Sequence, residues 1–197
     1  MSVVLAVVMT ASAPPEASAT DTRELSSQEE AELRAGKLVV RPELRMLRGV
    51  RWMGGMAWQL IEASPERVYN ALLDVPAYAK YLPAAEEVRL VSAQPPETVF
   101  VKHRLGFVRA NYHARTLRDP ARRTVRFRMD HDHPSSIRDA WGELHVSPYG
   151  RDRSIVSLVI MADLGDGFVV GMIREQVHTW MLRVPALIKR HVETHAQ

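Results

Sequence analysis

The chain contains no cysteine. Disulfide staples, thiolate nucleophiles and thiolate metal ligands are therefore excluded, and the fold must stand on packing alone. No segment is long and apolar enough to span a bilayer as a helix, so a soluble mature protein is expected. A glycine-rich phosphate loop, a nucleophile elbow and a zincin motif are all missing, which disfavours the common hydrolase and nucleotide-enzyme classes. Also missing is a basic tract. The 26 Lys and Arg against 23 Asp and Glu give a formal charge of +3, spread along the chain and too weak a bias to indicate nucleic acid. What is present is 197 residues, 46% of them hydrophobic, enough for one ordinary domain with a real core plus an extension.

The leader carries the information on compartment. Val3 to Met9 is a short apolar run, followed by small residues and Ala17-Ser18-Ala19. This is the pattern of a signal peptide cleaved before Thr20, and it predicts export to a periplasm or the exterior. A disordered leader on a cytoplasmic protein is the alternative, because no Lys or Arg precedes the run. The expected organisation is a leader over residues 1–19, an N-terminal extension over 20–53 and one domain over 54–197. Within the extension, residues 25–36 read as a short helix outside the main core. Ser26 or Ser27 can cap it, Glu29 and Glu30 sit near its positive end, and Gly36 can stop it. Residues 38–55 are ambiguous, since Pro42 and the glycines suggest an irregular approach to a first strand at 56–62.

Ser64-Pro65-Glu66 is a strong helix start. Ser64 can accept from free amides, and Pro65 at the first helical position has no amide to waste. Val68, Ala71, Leu72 and Val75 form the buried stripe of this helix, which must stop before Pro76. A second short helix over 77–82 carries Tyr78, Tyr81 and Leu82 and ends at Pro83. The pair forms a compact clip. Six strands follow, at 87–92, 98–107, 109–117, 123–130, 137–146 and 154–162, with proline-bearing turns between several of them, and they should pair as an antiparallel meander. Val99, Val101, His103, Leu105 and Phe107 share one parity, as do Val125, Phe127 and Met129. One face is covered and the other wet. In 137–146 the parity of Asp139, Trp141 and Glu143 competes with that of Ala140, Gly142, Leu144 and Val146, and either face could be inward. A final helix over 168–193 carries Ile173, Val177, Trp180, Met181, Val184, Ile188 and His191 on one stripe, with a kink expected at Pro185. Its only broad apolar partner is the inner face of the sheet.

This order of elements resembles the helix-grip (SRPBCC, START-like) superfamily of Bet v 1-like plant proteins, START lipid-transfer domains, polyketide cyclase/dehydrases and coenzyme Q-binding proteins. The residues that carry the resemblance are Ile61 to Tyr69 with Leu73-Asp74, then Tyr78, Tyr81-Leu82-Pro83, Trp141-Gly142-Glu143-Leu144 and the closing helix. It covers most of the chain from residue 54 to 193. It implies an α+β helix-grip fold: a curved antiparallel sheet of about seven strands wrapped around a long C-terminal helix. A hydrophobic cavity would lie between them, roofed in part by the two short helices after the first strand.

The expected ligand contacts are Val101, His103, Leu105, Tyr112 and Phe127 from the sheet, Tyr78 and Tyr81 from the clip, and Ile173, Val177, Trp180, Met181 and Val184 from the helix. Ala110 and Ala114 beside Tyr112 would leave room for a ligand. A hydrogen-bonded core histidine is the simpler alternative for His103. His103, Tyr112 and His191 are candidate acid/base groups. His131-Asp132-His133 has metal-ligand types, but it sits at a strand end beside Pro134-Ser135-Ser136 with no third well-spaced ligand, and a solvated turn is the expectation. No metal or cofactor is implied. Arg104, Arg109, Arg115, Arg122, Arg123, Arg126 and Arg128 fall mainly on the outward parity, a solvated face that also allows transient contact with an anionic membrane surface.

Three functions fit this pattern. The first is a carrier or binder of a lipid, polyketide or quinone-like molecule, which would enter by opening of the tyrosine clip or the kinked helix. The second is a cyclase or dehydratase acting on a polyketide-like substrate. The third is a protein-interaction module whose cavity is plugged by large side chains.

Overall fold

The computed structural model describes residues 25–165 and 168–194, leaving aside the side chains of Leu105 and of residues 168–173. The expected leader lies outside the described residues. The first element, α1 (Ser27–Arg34), begins with a capping box: the Ser26 hydroxyl accepts from the Glu29 amide, and the Glu29 carboxylate accepts from the Ser26 amide. The next two elements, β1 (Val39–Leu47) and β2 (Val50–Ile61), form a hairpin. Arg41 on β1 donates to Glu29 at 2.7 Å and ties the helix to the sheet.

After β2 come α2 (Pro65–Leu73), a 3-10 turn (Val75–Ala77) and α3 (Tyr78–Tyr81). Ser64 caps α2 by accepting from the Arg67 amide, with Pro65 in the first turn as the sequence indicates. Six strands then run in order: β3 (Ala85–Ser92), β4 (Glu97–Leu105), β5 (Val108–Asp119), β6 (Thr124–Met129), β7 (Asp139–Pro148) and β8 (Ser154–Asp163). The sheet order is β1-β2-β8-β7-β6-β5-β4-β3 with every neighbouring pair antiparallel. Pairing of β2 with β8 joins the first hairpin to the last strand of the meander, leaving β1 and β3 as the edges, and the curved sheet grips the C-terminal helices. This is the helix-grip fold.

The sheet has eight strands rather than about seven, because the stretch read as an irregular approach forms β1 and extends β2. Pro42 obscured it. A proline is tolerated there because β1 is an edge strand with one unpaired side. The glycines of β2 have a packing cause: a Cβ on Gly54 would lie 1.8 Å from the Ile160 carbonyl oxygen, and one on Gly55 would lie 2.1 Å from that of Arg41. Backbone passes close on both flanks of this glycine pair.

The closing helix is two helices, α4 (Phe168–Met181) and α5 (Val184–Thr194), rather than one continuous kinked helix. Pro185 lies in the first turn of α5, where a missing amide leaves no bond unmade. The Arg183 amide turns back to the Trp180 carbonyl at 3.0 Å, and the Arg183 carbonyl starts α5 by accepting from Ala186 and Leu187. Both helices are pinned to β2. His178 Nε2 donates to the Gly54 carbonyl at 2.6 Å, and Lys189 Nζ donates to that of Leu60 at 3.0 Å.

The main core joins α2 and α5 to β2, β7 and β8 through Ile61, Val68, Leu72, Val146, Val156, Leu158 and Ile188. A second cluster lies behind β2, where Leu33 of α1 covers Val39, Trp58 and Leu60. A third, of Val75, Val99 and Val101, packs the 3-10 turn against β4. Between the first and third clusters the inner face of the sheet is not filled.

Candidate functional site

The unfilled space is a cavity of about 290 Å³. Its walls follow strand parity. Val99 and Val101 come from β4; Ala110, Tyr112, Ala114 and Thr116 from β5; Val125, Phe127 and Met129 from β6; and Leu158, Ile160 and Ala162 from β8. Val177, Trp180 and Met181 of α4 and Val184 of α5 close the other side, with Leu72, Tyr78, Tyr81 and Leu82 forming the roof. Ala84, Arg109 and Ser136 are exposed residues of the lining and mark its mouth.

The inward face of β7 is that of Ala140, Gly142, Leu144 and Val146. Gly142 pairs with Phe127, and a Cβ there would meet the Phe127 ring at 2.4 Å and the Val159 carbonyl oxygen at 2.5 Å. The missing side chain is what lets the Phe127 ring lie against the strand and form the cavity floor.

Besides Thr116, the walls carry a hydrogen-bonded polar chain across β4, β5 and the roof. His103 Nδ1 lies 2.8 Å from the Pro83 carbonyl oxygen, and Nε2 lies 3.1 Å from the Tyr112 hydroxyl. The two rings stack with centroids 5.5 Å apart. Burial pushes the His103 pKa below its ordinary value, partly offset by the bond to Pro83. Burial alone raises that of Tyr112. At neutral pH both are uncharged.

The roof tyrosines have a structural duty as well. The Tyr78 hydroxyl donates to the Leu72 carbonyl at 2.8 Å, and that of Tyr81 to the Ala71 carbonyl at 3.1 Å. These are carbonyls of the last turn of α2, which have no partner inside the helix. Burial pushes the Tyr78 pKa up to about 12 and raises that of Tyr81 further. The clip is thus tied shut by its own phenols, which offer ring surface to the cavity.

Val101, His103, Tyr112, Phe127, Tyr78, Tyr81, Val177, Trp180, Met181 and Val184 all line the cavity. The side chains of Leu105 and Ile173 lie outside those described. His191 does not join His103 and Tyr112: its ring packs on Tyr81 with centroids 6.0 Å apart and is not part of the lining. Phe107, expected on the inward parity, is 83% exposed in the turn after Gly106, because β4 ends at Leu105. Thr116, Leu158, Ile160 and Ala162 were missed, although extending the parity of β5 and β8 would have found them. The Pro83 carbonyl left no trace in the sequence.

His131 and His133 diverge. His131 Nε2 is 3.3 Å from Asp139, while His133 Nδ1 is 3.0 Å from buried Asp130 and its ring stacks on His113. Among the described residues no group of three or more His, Asp or Glu could hold a metal ion. On the outer sheet face, Arg104 pairs with Glu86, Arg115 with Asp130 and Asp132, and Arg126 with Glu143, while Arg123 in the turn before β6 pairs with Glu66 of α2. Among the described residues no helix is long and apolar enough to cross a membrane.

The family model described as polyketide cyclase / dehydrase and lipid transport matches residues 57–190. No curated protein matches the chain at a significant level. Among solved structures, a protein of Thermus thermophilus superposes with TM-score 0.62 at 18% identity, covering 72% of this chain and 98% of that one. The Zhui aromatase/cyclase of a Streptomyces species gives 0.62 at 17% identity, covering 74% and 96%. A START superfamily protein of Mycobacterium smegmatis gives 0.55 at 13% identity, covering 72% and 97%. At these identities the structural likeness bears on fold alone.

Proposed function

This chain belongs to the polyketide cyclase/dehydrase and lipid transport family, and on that footing we propose that it binds or carries a hydrophobic small molecule without transforming it. A lipid, polyketide or quinone-like compound fits the chemistry of the walls. The observation that carries this reading is the apolar cavity whose inner polar pair, His103 and Tyr112, is already hydrogen-bonded within the protein. Apolar burial at roughly 25 cal/mol per Å² supplies the affinity. Phe127, Trp180 and Met181 line the space rather than plug it, which speaks against a filled interaction module.

A cyclase or dehydratase is the second reading, and the 3.1 Å contact between His103 and Tyr112 favours it as an acid/base pair. Against turnover, both ring nitrogens of His103 are engaged, and burial opposes ionisation of Tyr112.

The test is extraction and mass spectrometry of lipophilic molecules from the purified protein and from Ala110→Trp. Ala110 pairs with His103 in register and lines the cavity, so tryptophan fills it. A defined lipophile bound to the native chain and lost from a folded variant supports the proposal. Unchanged loading of the variant sinks this placement of the site, and release of a chemically altered polyketide turns the reading to the enzyme.

A further inference from the structure

We propose that the cavity selects hydrophobic ligands that carry a hydroxyl donor, a phenol or an alcohol, over equally apolar ligands that present only acceptors, a ketone or an ether. The proposal rests on the cavity-binding reading above and adds the class of polar group recognised. Its basis is the direction of the hydrogen bonds.

A carbonyl oxygen only accepts. The 2.8 Å contact between His103 Nδ1 and the Pro83 carbonyl therefore places the imidazole proton on Nδ1. In the neutral ring Nε2 is then a bare acceptor. The group facing it at 3.1 Å is the Tyr112 hydroxyl, which must donate. The one proton of Tyr112 is spent on the protein, and its oxygen turns lone pairs to the cavity.

The hydroxyls of the roof and the mouth are committed in the same way, so the donors left in the apolar wall are the Thr116 hydroxyl, four residues along β5 from Tyr112, and the Trp180 indole on α4. The hydroxyls of Tyr78 and Tyr81 donate to the carbonyls of Leu72 and Ala71. The Ser136 hydroxyl donates to Asn111 Oδ1 at 2.7 Å and accepts from the Asn111 amide at 3.1 Å. Arg109 and Arg128 are donors, but both stand exposed in the lining, where water competes for them.

A ligand hydroxyl can donate to the Tyr112 oxygen with every existing bond kept. A ligand carbonyl can be satisfied there only if Tyr112 turns its proton away from His103, which strands Nε2 buried without a donor. Moving the imidazole proton to Nε2 instead breaks the bond to Pro83. Either route leaves a buried polar atom unpaired, and that loss outweighs a single new bond.

Binding of 2-naphthol and 2-methoxynaphthalene to the native chain at pH 7.5 tests this. The ether is the more apolar of the two, so burial alone favours it. The expected result is the reverse: 2-naphthol binds about tenfold tighter, the effect of one net hydrogen bond in a buried site. In Tyr112→Phe the ratio falls to about one or below. Equal or weaker binding of 2-naphthol to the native chain overturns the proposal, as does a tenfold preference that survives in Tyr112→Phe. If that variant does not fold, 2-acetylnaphthalene on the native chain decides, since it must bind as weakly as the ether. Should neither naphthol nor ether bind, the cavity reading itself fails and takes this proposal with it. Binding of both without preference removes only the proposal.

Discussion

His103 and Tyr112 stand 3.1 Å apart, from Nε2 to hydroxyl, on neighbouring strands, and the same imidazole reaches the Pro83 carbonyl on the roof. One side chain therefore joins the cavity wall to the end of the helix clip. Its charge state bears on both.

Burial holds the His103 pKa below the roughly 6.5 of an unfolded histidine. As pH falls through about 6.5, the unfolded chain takes up a proton that the folded chain refuses. Stability is thus complete above that value and declines below it until the folded pKa is reached. NMR titration should place the His103 midpoint below 6.5, and the acid-side loss of stability in urea melts should shrink in His103→Ala. A midpoint above 6.5 would contradict the burial argument.

The roof phenols lend themselves to a stability measurement. Tyr78→Phe leaves the carbonyl of buried Leu72 without its donor and should cost about 1 to 3 kcal/mol; Tyr81→Phe frees that of half-buried Ala71 and should cost about 1 kcal/mol. Denaturant melts of both variants check this. No loss in either would mean that the hydroxyls do not cap α2, and the clip would then be free to act as a gate.

Gly142→Ala sets a methyl group against the Phe127 ring and the Val159 carbonyl oxygen. A destabilisation of about 1 to 3 kcal/mol is expected, the usual range for overpacking. Shortening the ring in Gly142→Ala/Phe127→Leu should recover only part of it, because the contact with backbone persists. Full recovery would show that the strand can move away.

Asp130 is buried at the end of β6. Burial opposes its ionisation, yet the Asp132 amide, His133 and Arg115 together hold its carboxyl below the usual range. A carboxylate with a depressed pKa contributes stability above the unfolded value of about 3.9 and loses it as pH falls through the folded one. Acid unfolding of the native chain should therefore show a component below pH 3.9 that is missing from Asp130→Asn. Coincident acid limbs for the two proteins would remove Asp130 from the acid response.

Much of this site could be read from sequence because most strands have one wet face. In β4, β5 and β6 the alternation of Val99, Val101 and His103, of Ala110 and Tyr112, and of Val125 and Phe127 sorts inward from outward directly. In β7 it fails. Trp141 is outward and Gly142 inward, and what decides is the Phe127 ring on the neighbouring strand, a contact that no local pattern encodes. The edge strand β1 was hidden for a similar reason, since Leu44 and Met46 are exposed and Pro42 is allowed only because one side is unpaired. Helical periodicity put His191 on the inward stripe. That stripe says which side faces the protein, not whether it meets core or cavity, and His191 meets Tyr81.

That the cavity holds a hydrophobic small molecule is tested most directly by intermolecular NOEs in a titration with 2-naphthol. The expected contacts run from the ring protons to the methyl groups of Val101, Ala114, Leu144 and Leu158, all on the walls. Contacts confined to exposed side chains such as Leu44 and Met46, with the wall methyls silent, would contradict it.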